Sequence, residues 1–194
     1  MIMEHNCEDK TDEELVILIL QDPDYFSCLM KRYENKLLAY VIRISGLKKE
    51  DAEDVLQDGL IKIYQNINSF NTSLKFSSWA YRIIHNQVIN NFYKLKARPS
   101  FVFSDIGQDK VDQLASEFDI EKDTDDKIKN ESIIQALGYL DDKYKEVLVL
   151  KFIEGKDYKE ISDILKKPMG TVATLINRAK KQFKKEIHKH NVKF

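Results

Sequence analysis

Between Thr171 and Lys185 the chain sets small, hydroxyl and amide side chains among cations, a combination suited to a polyanion. Thr174, Asn177, Lys181 and Lys184 recur at steps of three and four, with Ala173 alongside and Thr171, Arg178, Lys180 and Lys185 as neighbours. On a helix this is one polar face with a basic rear. Small and amide groups can meet base edges in a major groove, while lysines and arginines hold phosphates. The chemistry on offer is recognition of nucleic acid and not bond making. The same pattern also fits a packed helical hairpin with a solvated lysine face, so the stretch alone leaves both readings open.

The elements that must hold this face are legible on its other side. Val172, Ile176, Ala179, Phe183 and Ile187 form one apolar stripe, and Tyr158, Ile161, Ile164 and Leu165 form a shorter one before it. Lys166, Lys167 and Pro168 separate them, since proline cannot continue a helix but suits the start of the next. A short helix, a tight turn and a longer helix with polar front residues make a helix-turn-helix.

Two further constellations lie upstream. A helix from about Lys49 to Ile67 buries Ala52, Val55, Leu56, Leu60, Ile63 and Ile67, and its other face carries Glu53, Asp54, Gln57, Asp58, Ile61, Lys62 and Gln65. Ile61, flanked by Gln57 and Asp58, is an exposed apolar residue among carboxylates, the centre of a small protein-binding face. A helix from about Ser77 to Lys96 has Ala80, Ile83, Ile84, Val88, Phe92 and Leu95 as its stripe. Its polar side mixes Arg82, His85, Asn86, Gln87, Asn90, Asn91, Tyr93, Lys94 and Lys96, then Arg98. Amides, an aromatic ring and cations together can stack on unpaired bases and hold phosphates. A merely solvated helix in an Asn- and Lys-rich chain fits the composition equally. Trp79, at the start of this helix, is expected in the core. Between the two helices, Asn68 to Lys75 is a polar loop with turn residues Asn71, Thr72 and Ser73.

The remaining chain completes an all-α plan. Thr11 and Glu14 form a capping-box pattern that opens a helix through Leu15, Ile17, Leu18 and Leu20. Asp22-Pro23-Asp24 turns the chain into a second helix, about Tyr25 to Ser45, ended by Gly46. Arg98-Pro99 closes the first domain. Few apolar residues follow until about Lys127, apart from Phe101, Val102 and Phe103, so this stretch reads as an acidic linker with a short anchor. Helices resume at about Ile128 with Ile133, Ile134, Leu137 and Leu140. Another follows Asp141, with Tyr144, Val147, Leu148, Val149, Leu150 and Phe152, and stops at Gly155. No segment alternates long enough for a sheet. The expected plan is two helical domains, 1–99 and 128–194, joined by an acidic flexible linker, 100–127.

Charge follows this division. The net charge of −1 over 194 residues resolves into −1 for 1–99, −6 for 100–127 and +6 for 128–194. Counterion release gives the basic segment affinity for nucleic acid independent of sequence, and the acidic connector has no such role. A content of 43% hydrophobic and 32% charged residues describes a soluble globular chain. No run reaches the length needed to cross a bilayer, and Met1 to Thr11 lacks a signal pattern, so a cytoplasmic location without membrane insertion is expected. Cys7 and Cys28 share no metal-ligand spacing, and two thiols make no disulfide framework. No metal or cofactor is expected. With six glycines and no phosphate-cradling loop, nucleophile–base pair or metal cluster, catalysis is not expected either.

Three motifs together resemble those of bacterial RNA polymerase sigma factors of the extracytoplasmic-function (ECF) group, compact members of the sigma-seventy family. Asp51-Ala-Glu-Asp-Val-Leu-Gln-Asp58 resembles the core-polymerase docking helix. Phe76-Ser-Ser-Trp-Ala-Tyr-Arg-Ile-Ile-His-Asn86, continuing through Asn90 to Arg98, resembles the strand-opening and minus-ten segment. Gly170-Thr-Val-Ala-Thr-Leu-Ile-Asn-Arg-Ala-Lys180 resembles the recognition helix of the minus-thirty-five domain. The likeness covers about Tyr25 to Arg98 and Ile134 to Ile187.

Residue by residue, the resemblance implies that Glu53, Asp54, Gln57, Asp58 and Ile61 meet the clamp helices of core RNA polymerase. It implies that the loop with Asn71 and Lys75, and the face with Asn86, Asn90, Tyr93, Lys94 and Arg98, capture the opening minus-ten strand. Thr171, Ala173, Thr174, Asn177, Arg178 and Lys181 would engage promoter DNA at the minus-thirty-five element. The acidic connector would follow the polymerase's cationic product-RNA path. An anti-sigma factor that clamps both domains is common in the resembled group and is a further implied partner. Such a protein is a promoter-specificity subunit without catalysis of its own. The competing reading is a stand-alone helix-turn-helix regulator, which leaves the Gln57–Asp58 face without a role.

Some positions depart from the family pattern. The group often has basic residues where Ala173 and Leu175 stand, a glycine at Lys166 and a serine cap at Pro168. Ala173 can instead sit against a thymine methyl. Arg82 and Ile83 replace the adjacent tryptophans of primary sigma factors, so strand separation is expected to depend more on the loop.

Overall fold

The computed structural model describes residues 7–95 and 136–189, with the side chains of 92–95 and 188 left aside. The chain divides into two compact units, Met1–Ser100 and Phe101–Phe194. The expected linker, 100–127, the helix start at about Ile128 and Arg98 lie outside the described residues. All regular elements among the described residues are helical.

In the first unit, α1 (Asp12–Ile19) starts at a reciprocal cap. The Glu14 amide donates to Thr11 Oγ1 at 3.2 Å and the Thr11 amide donates to the Glu14 carboxylate at 2.8 Å, satisfying two donors that a helix start leaves orphaned. Its buried face is Leu15, Val16 and Ile19, whereas Ile17 and Leu20 are about half exposed. Leu15, Ile17, Leu18 and Leu20, through which this helix is expected to run, thus fall on more than one face. In an unbroken apolar run, periodicity carries no phase.

A single turn of tighter helix, Pro23–Tyr25, leads into α2 (Phe26–Ser45). Gly46 ends α2 in the left-handed conformation, its amide donating to the Ile42 carbonyl at 2.8 Å. α3 (Lys49–Asn66) and α4 (Phe76–Leu95) complete the unit. Leu37, Tyr40 and Val41 of α2, Ala52, Val55, Leu56 and Ile63 of α3, and Ala80, Ile84 and Val88 of α4 form the core. Trp79 is buried against Phe70 and Phe76, with ring centres 5.3 and 5.7 Å away.

Gly59 sets the approach of α3 to α4. A Cβ there would lie 2.3 Å from Ile84 Cδ1. Glycine inside a helix costs about 1 kcal/mol relative to alanine, and the close passage of α4 accounts for it. Gly59 is buried, while Leu60, expected inside, is only partly covered.

The polar side of α4 also needs correction. His85 and Gln87 are 8% and 6% exposed. Buried polar groups persist where they are hydrogen-bonded: His85 Nδ1 shares a bond with the Tyr40 hydroxyl at 3.1 Å, and Gln87 bridges Asp58 and Lys62 on α3.

Cys7 and Cys28 form a disulfide, with Cα atoms 6.1 Å apart. Sequence spacing had suggested no role for this pair. Around it, Arg32 Nη1 pairs with Asp12 Oδ1 at 2.8 Å, Arg32 Nη2 donates to the Cys7 carbonyl, and the Tyr33 hydroxyl donates to Asp12 Oδ2. Burial, then Asp12, holds the Tyr33 hydroxyl protonated far above its ordinary value.

In the second unit, α5 (Asp142–Leu148) widens into a π turn, Val149–Ile153, and Gly155 exits with φ 66°. α6 (Tyr158–Leu165) has its own reciprocal cap, Asp157 with Glu160 at 2.8 and 2.9 Å. α7 (Met169–Lys189) buries Val172, Ile176, Ala179 and Phe183 completely and Ile187 nearly so, the stripe expected from spacing. Tyr158, expected in the α6 stripe, is exposed beneath Lys151, whose Nζ stands 5.1 Å from the ring centre. As the first residue of α6 it precedes the buried turn.

Lys166 closes α6 at φ 52°, a left-handed conformation in a residue with a Cβ. Lys166→Gly is expected to stabilise the second unit by about 1 kcal/mol, because only glycine adopts this conformation without steric cost. Hydrogen exchange of α6 and α7 amides measures it, and unchanged protection would refute the strain.

Candidate polymerase-docking and promoter-reading surfaces

The α3 face is built from opposite demands on one helix. Ala52, Val55, Leu56, Gly59 and Ile63 are taken inward, which turns Glu53, Asp54, Gln57, Asp58 and Ile61 to solvent, all exposed. Ile61 is 50% exposed. Lys49 pairs with Glu53 at 3.6 Å across one turn, a contact of little energetic weight at such exposure. Asp58 Oδ2 accepts from Gln87 Nε2 at 3.0 Å, so one carboxylate of the face is held by α4. Sequence reasoning missed Tyr64, 45% exposed one turn beyond Ile61 and edge-on to Phe26 at 5.0 Å. Its place after Ile61 at a step of three was the available signal.

The loop before α4 is fixed at both ends by aromatic burial, with Phe70 before it and Phe76 after it. Within it, Asn71 Oδ1 accepts from the Ser73 amide at 3.0 Å and from Ser73 Oγ at 2.8 Å. Asn71 therefore builds the turn expected of it from sequence. Lys75 is exposed, and Leu74, unremarked in the sequence, is 50% exposed beside it. The Phe76 amide, at the first position of α4, donates to Glu13 Oε1 at 2.7 Å. On α4, Asn86 and Asn90 are exposed one turn apart. Tyr93 and Lys94 continue the helix, but their side chains lie outside the described residues.

In the second unit, the burial of the α7 stripe turns Thr171, Thr174, Asn177, Arg178 and Lys181 to solvent, with Ala173 partly covered. Thr174 Oγ1 donates to the Gly170 carbonyl at 2.8 Å, leaving its oxygen able to accept. Lys180, counted among the cations of this face, lies 5.3 Å from the Phe152 ring centre. Met169, 55% exposed, precedes the set.

Two family models match this chain. Sigma-70 region 2 matches residues 29–98, and Sigma-70 region 4 matches residues 130–183. The chain belongs to the sigma-70 family. The ECF RNA polymerase sigma factor SigW of Bacillus subtilis (strain 168) is 33% identical over 172 residues, covering 86% of this chain and 90% of that protein. An ECF RNA polymerase sigma-E factor of Haemophilus influenzae is 29% identical over 192 residues, covering 93% of this chain and 97% of that one. Among solved structures, CnrH in complex with the cytosolic domain of CnrY has a TM-score of 0.64 at 22% identity, covering 90% and 95% of the two chains. The sigma factor RpoE in complex with the anti-sigma factor NepR from Bartonella quintana has a TM-score of 0.62 at 20% identity, covering 84% and 96%. These structures share the fold. The protein is thus an ECF RNA polymerase sigma factor, an initiation factor that partners core RNA polymerase and promoter DNA and is not an enzyme. Matches to both regions set this chain apart from a stand-alone helix-turn-helix regulator.

Lys181→Ala is expected to weaken binding to any duplex and reduce the slope of log affinity against log salt by about one. Asn177→Ala should change sequence preference instead. Salt titrations and a promoter-library selection separate the two, and an unchanged library preference would remove Asn177 from the base-reading set.

Proposed function

We propose that Glu53, Asp54, Gln57, Asp58 and Ile61 form the docking face for core RNA polymerase, acting from the cytoplasm. The observation that carries this is the grouping of four polar side chains around half-exposed Ile61 on one face of a helix packed by its other face. An apolar centre with a polar rim is the usual anatomy of a protein interface. The loop with Lys75 and the α4 residues Asn86 and Asn90, continuing to Tyr93, Lys94 and Arg98, capture the opened minus-ten strand. Extruding a base costs a few kcal/mol, which pocket and stacking contacts must offset. Thr171, Ala173, Thr174, Asn177 and Arg178 read the minus-thirty-five element, with Lys181 on phosphate.

The solved complex of RpoE with the anti-sigma factor NepR favours an anti-sigma partner for this chain as well. Gln57→Ala with Asp58→Ala should lower retention on immobilised core polymerase roughly tenfold or more, each lost polar contact contributing about 1 kcal/mol. Duplex binding by α7 should stay unchanged. Undiminished retention removes the docking assignment, and run-off transcription on a promoter library then reports whether initiation survives.

A further inference from the structure

Gln87 is the side chain that composition placed on the DNA-facing side of α4 and the fold places inside. It is 6% exposed, and both ends of its amide are engaged by α3. Gln87 Nε2 donates to Asp58 Oδ2 at 3.0 Å, and Lys62 Nζ donates to Gln87 Oε1. Asp58 and Lys62 are one turn apart on α3, close enough to pair directly if nothing intervened. Instead the amide sits between them and fixes each in a separate direction. Gly59 lies beside this bridge: a Cβ there would stand in ordinary contact with Gln87 Cβ, 3.9 Å away.

We propose that Gln87 is a positioning residue for polymerase docking, holding the Asp58 carboxylate in the orientation in which it meets its partner and keeping Lys62 from neutralising it. This rests on the reading of the α3 face as the docking surface. The geometry gives Asp58 one anchored oxygen, so its remaining acceptor sites are presented from a fixed side chain and not from a freely rotating one. Ordering a carboxylate before association removes part of the entropy that docking would otherwise cost. It also makes α4, which carries Asn86 and Asn90 on its exposed side, a neighbour in hydrogen-bonded contact with the docking face.

The effect of Gln87 must then pass through Asp58, which a double-mutant cycle measures. In a titration of labelled protein against core polymerase, Gln87→Leu should weaken affinity about fivefold when Asp58 is present. In the Asp58→Ala background the same change should cost less than about twofold. Gln87→Glu, which keeps the size but sets a carboxylate against Asp58, supplies a second arm. It should weaken binding about tenfold in the parent and add nothing further to Asp58→Asn. Melting followed by the fluorescence of Trp79, the only tryptophan, confirms that each variant retains the first unit.

Equal losses with and without Asp58 would make Gln87 a satisfied core residue and overturn the proposal while leaving the docking face intact. No loss from Asp58→Ala and Gln57→Ala themselves would overturn the docking assignment and this inference with it.

Discussion

At about pH 8, Glu146→Gln should unfold the second unit at a temperature roughly 10 °C above that of the parent, with the two curves converging below about pH 5. Glu146 lies on α5, partly buried, and burial pushes its carboxyl from 4.5 to about 7. Asp142, one turn earlier, pushes in the same direction, while Lys167 and Lys145 pull it back. Lys145 is itself buried and pairs with Asp142 at 3.3 Å, so its charge is shared. A carboxyl raised in the folded state binds its proton more tightly there than in the unfolded chain. The native form then holds more protons between about 4.5 and 7, and stability falls as pH rises across that window. The stabilising contribution is complete below 4.5 and lost above 7. At full strength the difference is worth roughly 3 kcal/mol, and residual contact with water reduces it to about 2. Glutamine mimics the protonated form at every pH. Hydrogen exchange of α5 to α7 against pH measures the effect, with Trp79 fluorescence as an internal reference for the first unit. A parent profile that is flat between about pH 5 and 8 would refute the buried-carboxyl argument.

Lys167, which acts on Glu146, lies in the turn between α6 and α7. Nothing in spacing distinguishes the Glu146 carboxylate from one turned to solvent. The legible features were those with a local cause. Thr11 with Glu14 specified a helix start, Gly46 and Gly155 marked left-handed exits, and the stripe from Val172 to Ile187 fixed the rotation of α7. That rotation in turn exposed Thr171, Thr174, Asn177, Arg178 and Lys181. The α3 face was readable too, since Glu53, Asp54, Gln57, Asp58 and Ile61 fall opposite Ala52, Val55, Leu56 and Ile63.

What escaped depends on partners distant in sequence. His85 and Gln87 look like surface residues until Tyr40, Asp58 and Lys62 are brought to them. Continuous apolar runs gave the other errors. The run beginning at Leu15 supports several rotations of α1, and the run from Val147 to Ile153 hides a π turn in which every apolar residue is buried.

Reduction of the Cys7–Cys28 bond should lower the stability of the first unit by about 3 kcal/mol without unfolding it. The bond spans a sequence separation of 21, and loop-closure entropy for a ring of this order is worth roughly 3 kcal/mol in the chain-entropy description. The native segment is not held by sulfur alone. Asp12 receives both Arg32 and Tyr33, and Arg32 also binds the Cys7 carbonyl, so the same stretch stays ordered on α2 after reduction. The loss therefore arises chiefly in the unfolded chain, which regains the conformations that the ring excluded. Once the thiols are reduced, the Asp12 contacts carry the attachment by themselves. Two consequences distinguish this account. Trp79-detected melting with and without a thiol reductant should shift the midpoint by more than about 10 °C, and Cys7→Ser should reproduce the reduced curve. Asp12→Ala should cost little while the bond is closed and substantially more once it is open, because the covalent and ionic ties replace one another. Equal costs of Asp12→Ala in the two redox states would show that the ties act on separate parts of the unit.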